Sequence, residues 1–168
     1  MKIVRRWVVA VVLVATTGLV SAQSKVAHIN VQELLGAMPE MITANAELKK
    51  LQETYRSDIE GSMKALQNKL TQYQNEASAK SKEENDKRAL ELQQFEKNIQ
   101  EAEASAMQEL QKKQAELFAP ITERAKAAIE KVAADLGFDY VIDATQGGGL
   151  IVSKGKDLLP EVKKELGF

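Results

Sequence analysis

"NEASAKSKEENDKRAL", residues 75–90, lies near the middle of a run from Glu40 to Ala119 that holds no proline and one glycine, Gly61. How this stretch is read decides the fold. A single helix over the whole run would be about 120 Å long at 1.5 Å per residue, and its apolar side chains would need partners from other chains. A reversal near residues 78–83 gives two arms of about 55 Å that cover each other. Apolar residues recur before the stretch at Leu48, Leu51, Tyr55, Ile59, Met63, Leu66, Leu70, Tyr73 and Ala77, in steps of three and four. After it they recur at Leu92, Phe95, Ile99, Ala102, Ala106, Leu110 and Leu117. Between Ser78 and Arg88 the stripe vanishes, leaving closely spaced charges, among them Lys80, Lys82, Lys87 and Arg88. We read an antiparallel helical hairpin over 40–119 with its tip near 78–83, although the turn carries neither glycine nor proline.

The stripes are thin. Alanine occupies positions 102 and 106, and Lys113 and Gln114 break the returning stripe. Two helices can be held together this way, but a stripe so narrow cannot build a globular core.

Outward from the arms the pattern changes. "KVAHINV", residues 25–31, alternates, with Ala27, Ile29 and Val31 on one side. Asn30 then stands three residues before Glu33, a capping spacing that predicts a short helix from Val31 to about Ala37, ended ahead of Pro39. On the far side, a helix over about 121–136 either starts at Pro120 or continues through it with a kink. Gly137 is placed to end that helix in a left-handed conformation. "FDYVID", residues 138–143, alternates as a strand, with Phe138, Tyr140 and Ile142 on one face. "LIVS", residues 150–153, reads as the returning strand of a hairpin turned at Gly147-Gly148-Gly149, and "DLLPEVKKELGF" as a closing helix. The fold class expected is α+β, mostly α, with a long hairpin projecting from a small β-rich body formed by 23–39 and 120–168. At about 60 residues such a body is marginal alone, a size at which oligomerisation commonly supplies the missing core.

The first 22 residues read as a cleavable secretory leader, with Lys2, Arg5 and Arg6, an apolar core from Trp7 to Ala15, and a small-residue ending Val20-Ser21-Ala22. That apolar core falls below the roughly 20 residues that cross a bilayer. Without the leader the chain carries 20 basic and 24 acidic residues, so no basic surface for nucleic acid is offered. There is no cysteine, hence no disulfide framework, and the only histidine, His28, has no cluster with which to bind zinc. The three glycines are not followed by the Gly-Lys-Ser/Thr of a phosphate loop. Asp139 and Asp143 share a strand face, but no nucleophile or histidine is set beside them. These features point away from catalysis, metal and cofactor.

Taken together, "KVAHINVQELLGAMPE", the charged helical middle, "KKQAELFAPITERAKAAIEKVAADLGFDYVID" and "GGGLIVS" with the closing helix resemble the Skp/OmpH family of periplasmic chaperones over nearly all of the chain beyond the leader. The resemblance implies a homotrimer whose strands build a shared body, with three hairpins around a cavity that holds unfolded outer-membrane β-barrel proteins without ATP. It implies a periplasmic location. Residues expected in the shared body are Ile29, Tyr140, Ile142, Leu150 and Val152. Those expected to face the client along the arm are Leu48, Tyr55, Ile59, Met63, Leu66, Leu70, Tyr73, Leu92, Phe95 and Ile99, since many weak apolar contacts suit an unfolded partner. Well-known members are basic, whereas this chain beyond the leader is slightly acidic, so contact with anionic membrane surfaces stays open. The alternative in another class is a coiled-coil spacer or tether.

Overall fold

The computed structural model describes residues 24–168, and the expected leader lies outside them. Strand β1 (Val26–Ile29) leads into helix α1 (Val31–Ala37). Asn30 caps α1: its Oδ1 accepts from the Glu33 amide at 3.0 Å. Helix α2 then runs from Pro39 to Glu76, with proline in its first turn where the missing N–H would have found no helical partner anyway. A short 3₁₀ turn, Ala77–Ala79, breaks the run, and helix α3 continues from Lys82 to Leu136. Ser81 restarts the helix by accepting from the Glu84 amide at 3.2 Å, which explains how the chain turns without glycine or proline.

Helix α3 passes through Pro120 without interruption. A proline inside a helix costs on the order of 3 kcal/mol. Burial on both sides offsets that cost here: Leu117 and Phe118 pack against the core from the preceding turn, and Ile121 and Ala125 are buried in it. Gly137 ends α3 at φ 68°, ψ 38°, its amide reaching the Ala133 and Ala134 carbonyls.

Strand β2 (Tyr140–Asp143) lies parallel to β1, with Val26 opposite Tyr140 and Ile29 opposite Asp143. The strand expected over Leu150–Ser153 does not form. The third strand is the two-residue β3 (Lys156–Asp157), parallel to β1 on its other edge, so the sheet order is β2-β1-β3. Strands β2 and β3 flank β1 on opposite edges and run the same way, so the connection 144–155 has to cross the sheet and cannot be a tight hairpin. The glycines make a turn within that crossover. Gly148 donates to the Thr145 carbonyl at 2.9 Å, and Gly147 and Gly149 sit at φ 90° and 89°, where a side chain would be strained.

Helix α4 (Leu159–Leu166) closes the body, its first turn stapled by the Leu159 amide donating to Asp157 Oδ1 at 2.9 Å. The core gathers Ala27 and Ile29 from β1, Leu34 from α1, Met41 and Ala44 from α2, Ala125 and Val132 from α3, and Leu158 and Val162 around α4. Body packing therefore reaches one turn into α2 beyond Pro39. Past it, only Ile99 and Ala106 are buried along the arms.

Candidate functional site

The arm stripes meet in a shallow seam between α2 and α3. Leu48, Tyr55, Ile59, Leu66, Leu70, Tyr73, Leu92 and Phe95 are each half-buried there, and Ile99 is buried. The side chains read as client-facing thus cover one another first. Met63 differs, standing more than half exposed beside the seam. Sequence periodicity passed over Ile42, Leu90 and Met107, which the arms expose outright. A signal for them existed in the same pattern, since a large apolar residue off the stripe must point to solvent. At mid-arm the seam widens into an open groove of about 280 Å³, lined by Tyr55, Asp58, Ile59, Ser62, Ile99, Ala102, Ser105, Ala106 and Glu109. Small side chains at Ser62, Ala102, Ser105 and Ala106 leave that space.

The tip is tied by polar groups. Tyr73 donates its hydroxyl to Glu91 Oε2 at 2.5 Å, and Lys69 pairs with the same carboxylate. Arg88 pairs with Glu76 at 2.8 Å and lays its guanidinium 4.4 Å from the centre of the Tyr73 ring, a geometry in which cation and ring face attract. Asn85 Nδ2 donates to the Ala77 carbonyl at 3.0 Å. The Lys69 ammonium and the Tyr73 hydroxyl hold Glu91 below the usual carboxylate range, and Glu91 in turn raises the Tyr73 phenol. Glu76 is lowered by Gln72 first and by Arg88 next. Of the four charges read at the tip, Arg88 is therefore folded into the seam. Lys80, in the turn ahead of α3, pairs with Glu84 at 3.2 Å, and Lys87 pairs one helical turn back with Glu83 at 3.3 Å. Lys82 has no ion pair among the described residues.

In the body, Ile29 is enclosed by the chain's own core, whereas Tyr140, Ile142 and Val152 are largely exposed and Leu150 borders on it. Ile151, which the reading left out, is 96% exposed. On the opposite face of β2, to which Val141 turns, an apolar groove of about 590 Å³ opens between α1, the end of α3 and β2, lined by Val31, Leu35, Ala125, Ile129, Ala133, Phe138 and Val141. One chain thus leaves apolar side chains uncovered on both faces of β2.

Asp139 and Asp143 tie the two ends of the β1–β2 ladder. Asp139 Oδ2 accepts from the Lys25 amide at 2.9 Å. Asp143 Oδ1 accepts from the Thr145 hydroxyl at 2.6 Å, the Thr145 amide at 2.9 Å and the Val31 amide at 3.3 Å. Those bonds, the Thr145 hydroxyl first, hold Asp143 below the usual carboxylate range. No group of three or more potential metal ligands occurs among the described residues.

Residues 25–166 match the family described as Outer membrane protein (OmpH-like). No curated protein matches the chain. Among solved structures, that of a candidate outer membrane chaperone (OmpH-like) from Caulobacter crescentus superposes with a TM-score of 0.74 at 14% identity, covering 86% of this chain and 85% of that one. At that identity the likeness is one of fold.

Proposed function

This chain belongs to the OmpH-like family, and from that premise we propose that it is a non-enzymatic, ATP-independent periplasmic holdase, a homotrimer that binds unfolded outer-membrane β-barrel proteins and keeps them from aggregating. The observation that carries the reading is the arm itself: two helices projecting far beyond the core, their apolar side chains only half-buried in an open seam. A passive spacer has no use for that surface. An unfolded client needs it, because many small, non-directional contacts can be made without a shaped pocket. The exposed Tyr140, Ile142 and Val152 and the groove on the other face of β2 support assembly through the body, since apolar area left open on one chain is what a second copy would cover.

The test is protection of a urea-unfolded β-barrel protein on dilution, read by light scattering. Replacing Gln52–Glu109 with a short Gly-Ser turn removes most of both arms, the mid-arm seam included, and spares the body, so the variant keeps its oligomeric mass and loses protection. Equal protection by the shortened protein would sink the arm model. Full-length protection is expected to survive several hundred millimolar salt, where the Debye length is about 5 Å, because apolar contact dominates.

A further inference from the structure

The hairpin is fastened at both ends and unfastened in the middle. At the base, Lys113 pairs across the seam with Glu47 at 2.8 Å, and Arg124 pairs with Glu40. At the tip, Arg88–Glu76, Tyr73–Glu91 and Lys69–Glu91 bridge the same two helices. Between these fastenings, from Leu48 to Asn68 on α2 and from Leu92 to Lys112 on α3, no hydrogen bond or ion pair crosses the seam among the described residues. The polar bonds found there stay within one helix, as Arg56–Glu60, Gln94–Asn98 and Lys97–Glu101 do. Each unfastened stretch is 21 residues by these bounds, about 30 Å of helix.

Packing in that stretch is uneven: it holds the two buried arm side chains, Ile99 and Ala106, and beside them a gap. The open groove sits inside it, where Ser62 of α2 and Ala102, Ser105 and Ala106 of α3 are too small to fill the gap. Gly61 adds a residue that weakens a helix interior by leaving its backbone freer. An unfilled groove and no crossing polar bond, with only Ile99 and Ala106 buried, are the marks of a segment that opens at low free energy. Tip fraying, the usual weakness of a hairpin end, is opposed by the Tyr73–Arg88–Glu91 cluster.

We propose that the two helices of each arm part at mid-arm, not at the tip, and that the parted seam around Tyr55, Ile59 and Ile99 takes an apolar segment of the unfolded client. The inference rests on the holdase reading and names where on the arm the client is taken. It resolves a conflict in the geometry: the apolar side chains suited to a client cover one another while the seam is closed. Opening between two fixed ends exposes them without letting the arm unravel, and closure expels the client when it leaves.

The chain has no cysteine, so an introduced pair carries the only thiols. One full-length variant carries Ser62→Cys with Ser105→Cys, both lining the groove; another carries Lys69→Cys with Glu91→Cys at the tip. Each is tied by a short bis-maleimide and assayed for protection of the diluted β-barrel protein. The expected result is protection lost with the mid-arm tie and kept with the tip tie. Protection kept with the mid-arm tie, or lost with both, overturns the proposal. The untied variants separate this from the holdase reading: should they and the parent chain give no protection, it is the function that fails. Amide hydrogen exchange on the free protein gives a second check that needs no client. Amides of Ile59–Leu66 and Ile99–Ala106 are expected to exchange faster than those of Tyr73–Glu76 and Arg88–Leu92, and the reverse order would overturn the proposal as well.

Discussion

In the body, β1, α1, both ends of the arm helices and α4 converge on one core, so that Leu34, Met38, Leu158 and Val162 are fully enclosed. Along the arms the same kinds of side chain meet in a single line, and all but Ile99 and Ala106 keep one flank open to solvent. The difference is one of geometry. A residue in the body is surrounded by several elements, whereas a residue in the seam is covered by one opposing helix. Removing a side chain from the body leaves a cavity that its neighbours cannot fill. In the seam the facing helix can shift. Stability is therefore concentrated in the body and contact surface in the arm, and the two can be altered separately.

The largest effect is expected at Ile29, which is 1% exposed. Ile29→Asp places a charge without a partner in the core, at a cost of several kcal/mol. Loss of cooperative melting by circular dichroism is the expected outcome, and a melting temperature within a few degrees of the parent would show the body to be far looser than its burial implies. Leu34→Ala is the milder version, expected to cost about 2–5 kcal/mol as a cavity. The corresponding truncation in the seam, Leu66→Ala, is expected to cost clearly less, and equal losses at the two sites would abolish the contrast.

Next in size comes Ile142→Asp. This side chain is 44% exposed in the single chain, so the substitution is tolerated by the fold and acts on assembly. Helical content is expected to hold while mass by light scattering falls from that of the proposed trimer to that of a single chain. Unchanged mass would mean that β2 does not form the contact between copies.

Much of this division was legible in the residues. The vanishing stripe after Ala77 marked the reversal, Asn30 and Glu33 marked the start of α1, and Gly137 marked the end of α3, because each depends on local chemistry alone. The third strand was not legible. Leu150–Ser153 has the composition of a strand, but pairing was decided by which edge of β1 remained free, and the two residues that reach it, Lys156 and Asp157, have no strand character. Pro120 was equally undecidable locally, since burial on both sides of it settles the matter. Within the candidate site, the stripe predicted which side chains share a face. It could not say that the face is turned inward to the other helix, nor that Arg88 is held over Tyr73 instead of standing free among the tip lysines.

A smaller effect is expected at Asp143, whose carboxylate caps the β1–α1 junction through Val31 and Thr145. Asp143→Ala removes that cap at a cost of about 1 kcal/mol, read as a modest fall in melting temperature with the oligomer intact. Its folded carboxyl titrates below the ordinary Asp range, so its contribution is present above that range and is lost as pH falls through the folded value.

The smallest effect is the one most specific to the arm. Glu76 and Glu91 both titrate below the usual carboxylate range, Glu76 through Gln72 and Arg88, Glu91 through Lys69 and Tyr73. A carboxylate whose folded pKa is depressed stabilises the folded form above its unfolded pKa and ceases to do so as pH falls through the folded value. The tip fastening should accordingly hold at neutral pH and loosen under acid, with Lys80 and Glu84 the other charges beside it. Because these groups are solvent-exposed, the loss is local: faster amide exchange around Tyr73 and Leu92, with the body amides unchanged. Tyr73→Phe removes the hydroxyl donated to Glu91 and leaves the ring under Arg88, so it should reproduce part of that loosening at neutral pH without moving the global melting temperature. A variant whose tip exchanges no faster than the parent would show that the ring contact with Arg88, and not the hydroxyl, fastens the arm. A global fall in melting temperature would show instead that arm and body unfold as one unit, which is the result that would undo the contrast between them.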